Sequence, residues 1–446
     1  MYILLAVFLN AISFADQVAA SAEAPMATIA PYQKNPRVIA CLDRNHKPAD
    51  QTPKVDSHLV SDPNVGRPTC AQGSMKDLKS ALANQIAACE NKSLAEQQKK
   101  FRFGGCEIEM KTYCIETNQQ LLTLAEKHSG DLLSFIKKAR ENFDVYRSDG
   151  YAKAEAKGNI PAGSTKLTGY YAPQGSELPA FANRGDIPEI QNPVPILGAP
   201  QGLEHIGDAD PANCGYERNS NRPIKWCLKD NGIYRAIPTA EAIDDGALKD
   251  KSKIMGYMAL DKFNTLKLEG AGEVRIKNQD GTVTHIKANY AGTNGQQGNL
   301  LTSIVNCLKE TYGAGSPPIT NSFAYLKWLK LDIKDALKYN GSYTFFELGG
   351  SDYYGVDHIP LIGDHVMATD PTVIPTGAVG LIQSPAANGS CTLAMTASDI
   401  GSAIRGAHDD LYMGEGPEAV RRSAKVTGAG VPFILVAKGI AGASCP

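Results

Sequence analysis

A chain of 446 residues has room for two or three domains and an ample core. Its 45 basic and 47 acidic residues balance, which argues against a basic nucleic-acid-binding surface. Ten cysteines, an even number, fit an oxidising compartment and disulfides rather than zinc, since no close Cys-x2-Cys or His pair occurs.

Residues 1–15, MYILLAVFLNAISFA, form a short apolar run that ends small-x-small at Ser13-Phe14-Ala15. The run is too short to cross a bilayer and reads as a secretory signal. The first cysteine is Cys41, well beyond it, so a soluble rather than lipid-anchored protein is expected. No other stretch is apolar enough for a transmembrane segment. Residues 16–73, rich in Ala, Pro and polar groups, read as a linker or loosely ordered arm. A helical Cys-containing region, 74–146, follows. Met75, Leu78, Leu82 and Ile86 predict a helix over about 75–99 capped by Ser74, and Leu121, Leu124, Leu132, Phe135, Ile136 and Phe143 predict another over 117–146, with a possible break at Gly130. From residue 165 the chain changes to short β-branched and aromatic runs parted by Gly, Pro, Asn and Asp, the pattern of a barrel or sandwich. Cys214 and Cys227 could close a short loop, worth roughly 3 kcal/mol. Thr239 opens a helical turn, Asn294-Gly295 marks a turn, and helices are expected over 299–312 and 321–339. Strand-like runs recur at 341–348, 355–363, 365–382 and 431–439.

The stretch SDIGSAIRGAHDDLYMGEG, 398–416, sets Asp399, Asp409 and Asp410 among small residues that permit close approach to the backbone. Its Asp-x-Gly-x-Ala-Ile-x-Gly pattern has a second acid eleven residues after the first, Asp410, and an aromatic two further on, Tyr412. In this it resembles the C-terminal motif of the membrane-bound lytic murein transglycosylase A (MltA) family, with its 3D-type domain. Five further stretches resemble that family in order: LTGYYAP (167–173), NGIYRAIPTAEAIDDGAL (231–248), NYAGTNGQQGNLLTSI (289–304), GSYTFFEL (341–348) and DPTVIPTGA (370–378). ARENFDVY (139–146) is similar to the helix that precedes the family's catalytic part. LEGAG (268–272) stands where the family carries Gln-Gly-Ser-Gly, so Glu269 and Ala271 replace an amide and a hydroxyl.

The resemblance implies a mainly β protein with flanking helices: a double-psi β-barrel from 147–175 and 305–446, with a smaller β-barrel domain, 176–304, inserted into it. A groove between them is expected to hold peptidoglycan glycan strands in the periplasm or at the outer-membrane periphery of a Gram-negative bacterium. The implied activity is cleavage of the MurNAc–GlcNAc bond with formation of a 1,6-anhydro ring. Asp410 is the implied acid and then base, with Asp399 in support. Groove contacts are expected from Thr168, Gly169, Tyr170, Tyr171, Glu269, Gly270, Asn294, Asp370, Gly401, Ala403, Ile404 and Tyr412.

The residues allow the same chemistry to be argued directly. Tyrosine faces and a threonine hydroxyl suit sugar rings. A lytic transglycosylase needs one carboxyl to donate and retrieve a proton, provided burial or a neighbouring charge lifts its pKa. An inverting hydrolase using Asp399 as base and Asp410 as acid, or a non-catalytic wall-binding protein, would use the same groove. An aspartic protease is rejected, because Asp-Ile-Gly-Ser-Ala has no second copy in the chain. His358, His365 and His408 read as structural, so no metal or other cofactor is expected.

Overall fold

The computed structural model describes residues 59–61, most of 70–148, residues 164–206, 226–296 and 341–384, residues 391–439 except 402–403, and short stretches around 214, 307 and 325. The signal-like run at 1–15 lies outside the described residues. Among the described residues no helix is long and apolar enough to cross a membrane.

Six strands close into a barrel. They are β1 (Thr165–Ala172), β2 (Val366–Ala368), β3 (Val379–Ser384), β4 (Cys391–Asp399), β5 (His408–Glu415) and β6 (Gly428–Ala437). Around the ring the order is β3-β4-β2-β5-β1-β6, and β6 pairs back onto β3. The β4–β2 and β5–β1 ladders are parallel and the others antiparallel. Thr392 through Ser398 are buried without a break, as a strand covered on both faces requires. This mainly β body, with its double-psi barrel, is the one expected.

The barrel's outer face is covered by helices. Met75–Glu90 is capped by Ser74, whose hydroxyl accepts from the Asp77 amide, and packs Leu78 and Leu82 against Val379, Leu381 and Phe433. Each fully buried leucine contributes about 2 kcal/mol. The second helical stretch divides into Thr117–Lys127 and Leu132–Asn142, the second capped by Asp131. Two expectations change here. The first helix stops at Glu90 rather than 99, and a short capped turn, Leu94–Gln97, follows. Residues 139–146 do not stay helical: Phe143–Ser148 is a strand on β6, because that edge offers a backbone ladder to an aromatic and β-branched run.

The arm read at 16–73 is also tied in where it is described. Leu59–Ser61 pairs with Phe143–Ser148, and Cys70 is joined to Cys391 at the start of β4. Gln72 N donates to Thr392 O, and Ser74 N donates to His365 Nε2.

A second sheet of six strands orders Thr344–Leu348, Val283–Thr293, Ala271–Lys277, Pro179–Phe181, Ile254–Ala259 and Pro193–Leu197. Its outer strands approach each other, and the Tyr343 hydroxyl bridges the gap to Pro195 O at 2.6 Å, leaving a nearly closed barrel. Leu266, Val274, Phe345 and Phe346 fill it. Since Thr344–Leu348 belongs to this sheet, we place the insert's end beyond Leu348 rather than at 304. Residues 355–363, expected as a strand, form a turn instead. Asp357 and His358 have φ of 58° and 56°, a left-handed pair that no strand accommodates.

Candidate active site

Alternation along two neighbouring strands builds the site. On β5, Asp409, Leu411 and Met413 point into the barrel, while His408, Asp410 and Tyr412 point out of it. On β1, Leu167 points in and Thr168 and Tyr170 point out. The parallel register sets Asp410 beside Thr168 and Tyr412 beside Tyr170. Two acids are therefore held by alternate residues of one strand. Thr168 donates its hydroxyl hydrogen to Asp410 Oδ1 at 2.8 Å, and the Tyr170 hydroxyl donates to Asp399 Oδ2 at 2.6 Å. Asp399 Oδ1 accepts from the Ile400 amide at 2.9 Å. The Tyr170 and Tyr412 rings lie 5.1 Å apart and form an aromatic wall beside the acids.

Ala368 of β2 pairs with Asp399 on one side and Asp410 on the other, so a single central strand spaces the two. A side chain at Gly355 would come within 3.2 Å of Asp399 Oδ1, so the 353–361 loop lies directly against that acid. Behind it, Ser398 faces the opposite way and donates to Gln85 Oε1 at 2.6 Å. Gln85 in turn reaches the sulfurs of the Cys89–Cys114 disulfide. The helical region thus backs the strand that carries Asp399.

A third carboxyl comes from the insert. Leu260–Glu269 ends at Gly270, whose φ of 75° is the left-handed helix stop glycine provides. This turns the Glu269 side chain to the Tyr171 amide, which donates to Oε2 at 3.3 Å.

Burial dominates the electrostatics. It pushes Asp410 up to about 6, against the Thr168 hydrogen bond and the Lys166 charge. Burial also lifts Asp399 to about 6, against the Tyr170 and Ile400 hydrogen bonds and aided by the Asp410 charge. Glu269 is pushed up to about 8 by burial, and the Asp410 and Glu177 charges add to the effect. At pH 7 roughly one Asp410 in ten carries its proton; an ordinary aspartate would carry it in fewer than about one in a thousand.

The structure therefore gathers Thr168, Tyr170, Glu269, Asp399, Asp410 and Tyr412. Other expected contacts have different work. Tyr171 turns its ring toward the barrel core. Gly169 makes room for the Gly416–Ser423 helix, since a side chain there would lie 2.9 Å from Ser423 Cα. Asn294 is fully buried and pins the insert's loops, donating to Pro238 O and Gly341 O and accepting from Tyr343 N. Asp370 caps its own turn through Thr372 and holds Gly406 N at 2.8 Å, anchoring the loop that enters β5. Ile404 is buried and packs on Gly401. Ala403 lies outside the described residues. His408, read as structural, is placed at this site. The signal was its two-residue spacing from Asp410, which puts both on one strand face.

The closed barrel, the second barrel beside it and the paired, hydrogen-bonded carboxyls define a two-barrel protein of the 3D-domain class; residues 365–434 match the 3D domain family. Membrane-bound lytic murein transglycosylase A of Escherichia coli (strain K12) is 30% identical over 201 residues, 42% of this chain and 53% of that protein. The match thus spans about half the length of this curated relative. Among solved structures, a membrane-bound lytic murein transglycosylase from Agrobacterium tumefaciens has a TM-score of 0.61 at 20% identity, covering 86% of this chain and 98% of that one. E. coli MltA with bound chitohexaose has a TM-score of 0.53 at 21% identity, covering 86% and 94%. The 3D-domain match, the curated relative and the shared fold together support kinship with the membrane-bound lytic murein transglycosylase A family.

Proposed function

We propose that this protein is an exported lytic transglycosylase of peptidoglycan, with Asp410 as its single acid and base. The observation that carries the reading is the half-buried Asp410 carboxyl, raised to about 6, with one oxygen fixed by Thr168 and an aromatic wall alongside. Chitohexaose is the ligand of the E. coli relative's structure, and a glycan strand suits this cleft in the same way.

In the proposed reaction Asp410 gives its proton to the oxygen between MurNAc C1 and GlcNAc C4. The C1–O bond breaks and GlcNAc leaves with a free 4-hydroxyl. The Asp410 carboxylate then takes the proton of the MurNAc 6-hydroxyl as O6 bonds to C1. The 1,6-anhydro ring closes, and Asp410 ends protonated as it began, with no water consumed. Asp399 serves as a fixed negative charge near the cationic sugar. Both its oxygens already accept hydrogen bonds, which supports this role over that of a base activating water.

Digestion of purified sacculi with mass analysis of the soluble fragments tests the proposal. Anhydro-ended muropeptides are expected. Reducing ends would make the protein a hydrolase, and binding without solubilisation would make it a wall-binding scaffold.

Glu269 leads to a pH prediction. Neutral below about 8, its carboxyl can donate a hydrogen bond as the relatives' amide would; above that it adds charge beside Asp410. The rate already falls tenfold per pH unit once Asp410 is ionised. A steeper fall is expected above pH 8 in the native protein, reverting to a single-proton slope in Glu269→Gln. Rates on sacculi from pH 5 to 9 measure this, with the two proteins expected to agree within about threefold near pH 6.

A further inference from the structure

His408 takes no part in the steps above, yet its position is closely defined. It leaves the same face of β5 as Asp410 and lies opposite Lys166, as Asp410 lies opposite Thr168. Its Nε2 is 2.9 Å from Thr168 Oγ1, which is itself 2.8 Å from Asp410 Oδ1. One hydroxyl therefore touches both side chains. A threonine hydroxyl has a single hydrogen. Once that hydrogen is given to the carboxyl, Oγ1 faces the imidazole only as an acceptor, and Nε2 must carry the proton.

We infer that His408 is a positioning residue: its Nε2–H donates to Thr168, which turns the threonine hydrogen onto Asp410 Oδ1 and leaves the acid's own proton to Oδ2, the oxygen that would meet the glycosidic bond. This deepens the transglycosylase reading and rests on it. Without the imidazole N–H, the Thr168 hydroxyl samples its other rotamers and can itself accept a proton from Oδ1. The acid's proton then divides between two oxygens, and the share on Oδ1 is bound to threonine instead of being aimed at the sugar. The other titratable and charged groups around the acid are Lys166 from β1, Asp399 from the end of β4, Glu269 from the insert helix, and the Tyr170 and Tyr412 hydroxyls. Their charges act on Asp410 as a whole, whereas the hydroxyl contact distinguishes its two oxygens.

A mutant cycle on sacculi tests the link. His408→Ala and Thr168→Val should each lower kcat by about tenfold to a hundredfold, less than loss of the proton donor itself, with KM within about twofold. His408→Gln, which keeps an N–H on a side chain of similar reach, should recover most of the rate. The double variant should be no worse than Thr168→Val, since both changes break one chain of hydrogen bonds. In the free protein, NMR should find the neutral His408 ring protonated at Nε2, and the Asp410 carboxyl should titrate higher in both single variants than in the native protein. Losses that multiply in the double variant, or a neutral ring protonated at Nδ1, would overturn the inference. If the NMR results hold while the native protein solubilises nothing, the positioning stands and the transglycosylase reading falls.

Discussion

Asp410→Asn is expected to abolish anhydro-ended products, lowering release from sacculi about a thousandfold or more, while raising the melting temperature near neutral pH. Asparagine keeps the shape of the side chain and an oxygen to accept the Thr168 hydrogen at Oδ1, so glycan binding should persist. What it lacks is a proton to give. The stability gain follows from linkage. Asp410 has its pKa raised in the folded state, so the native protein binds more protons than the unfolded chain between pH 4 and 6. Stability therefore falls as pH rises through that window, and the deficit persists above it. Removing the charge should return on the order of 1–2 kcal/mol at pH 7 and nothing at pH 3. Mass analysis of digests, run beside thermal melts at the two pH values, reads both effects. An inactive variant that melts lower at pH 7 would point to damage rather than chemistry. Asp409 is the register control: fully buried on the opposite face of β5, it should not change the product pattern when replaced by asparagine.

Replacing both Cys70 and Cys391 with serine should cost roughly 5 kcal/mol, the upper end for a disulfide, because the bond closes a loop with a sequence separation of 321. The Cys214–Cys227 pair, with a separation of 13, should be worth only roughly 3 kcal/mol. Denaturant midpoints of the two double variants make the comparison. The effect of the first should also reach the site. Cys70 leads through Gln72 and Ser74 into the helix whose Gln85 receives the Ser398 hydroxyl, next to Asp399. Looser anchoring there should lower activity before the barrel unfolds. Equal losses in the two variants would show that loop length does not govern the unfolded chain.

The acids and their partners were legible because alternation is local. Once 408–415 is a strand, Asp410 and Tyr412 must share a face, and Thr168 and Tyr170 must do the same on theirs. The motif resemblance then brought those faces together. The roles of Asn294 and Asp370 were not legible, since a short polar side chain beside a turn looks the same whether it meets a sugar or closes its own loop. Only the distances to Gly341 and Gly406 decide. The fate of 355–363 was hidden in a different way. Apolar spacing favoured a strand, but a left-handed pair at 357–358 leaves no ladder to join. The contribution of the N-terminal helices was invisible for a third reason: Gln85 and Ser398 lie 313 residues apart, and nothing local in either names the other.

The contact that matters most, Thr168 to Asp410, joins residues 242 positions apart, with the whole insert strung between them. Contacts so distant along the chain are late events in folding, because the intervening segment must be compacted before its ends can meet. Before those strands pair, Asp410 lacks the burial that lifts it and would have an ordinary aspartate's acidity. On the proposed reading, the raised pKa of Asp410 would arise only once β1 and β5 have paired and buried it.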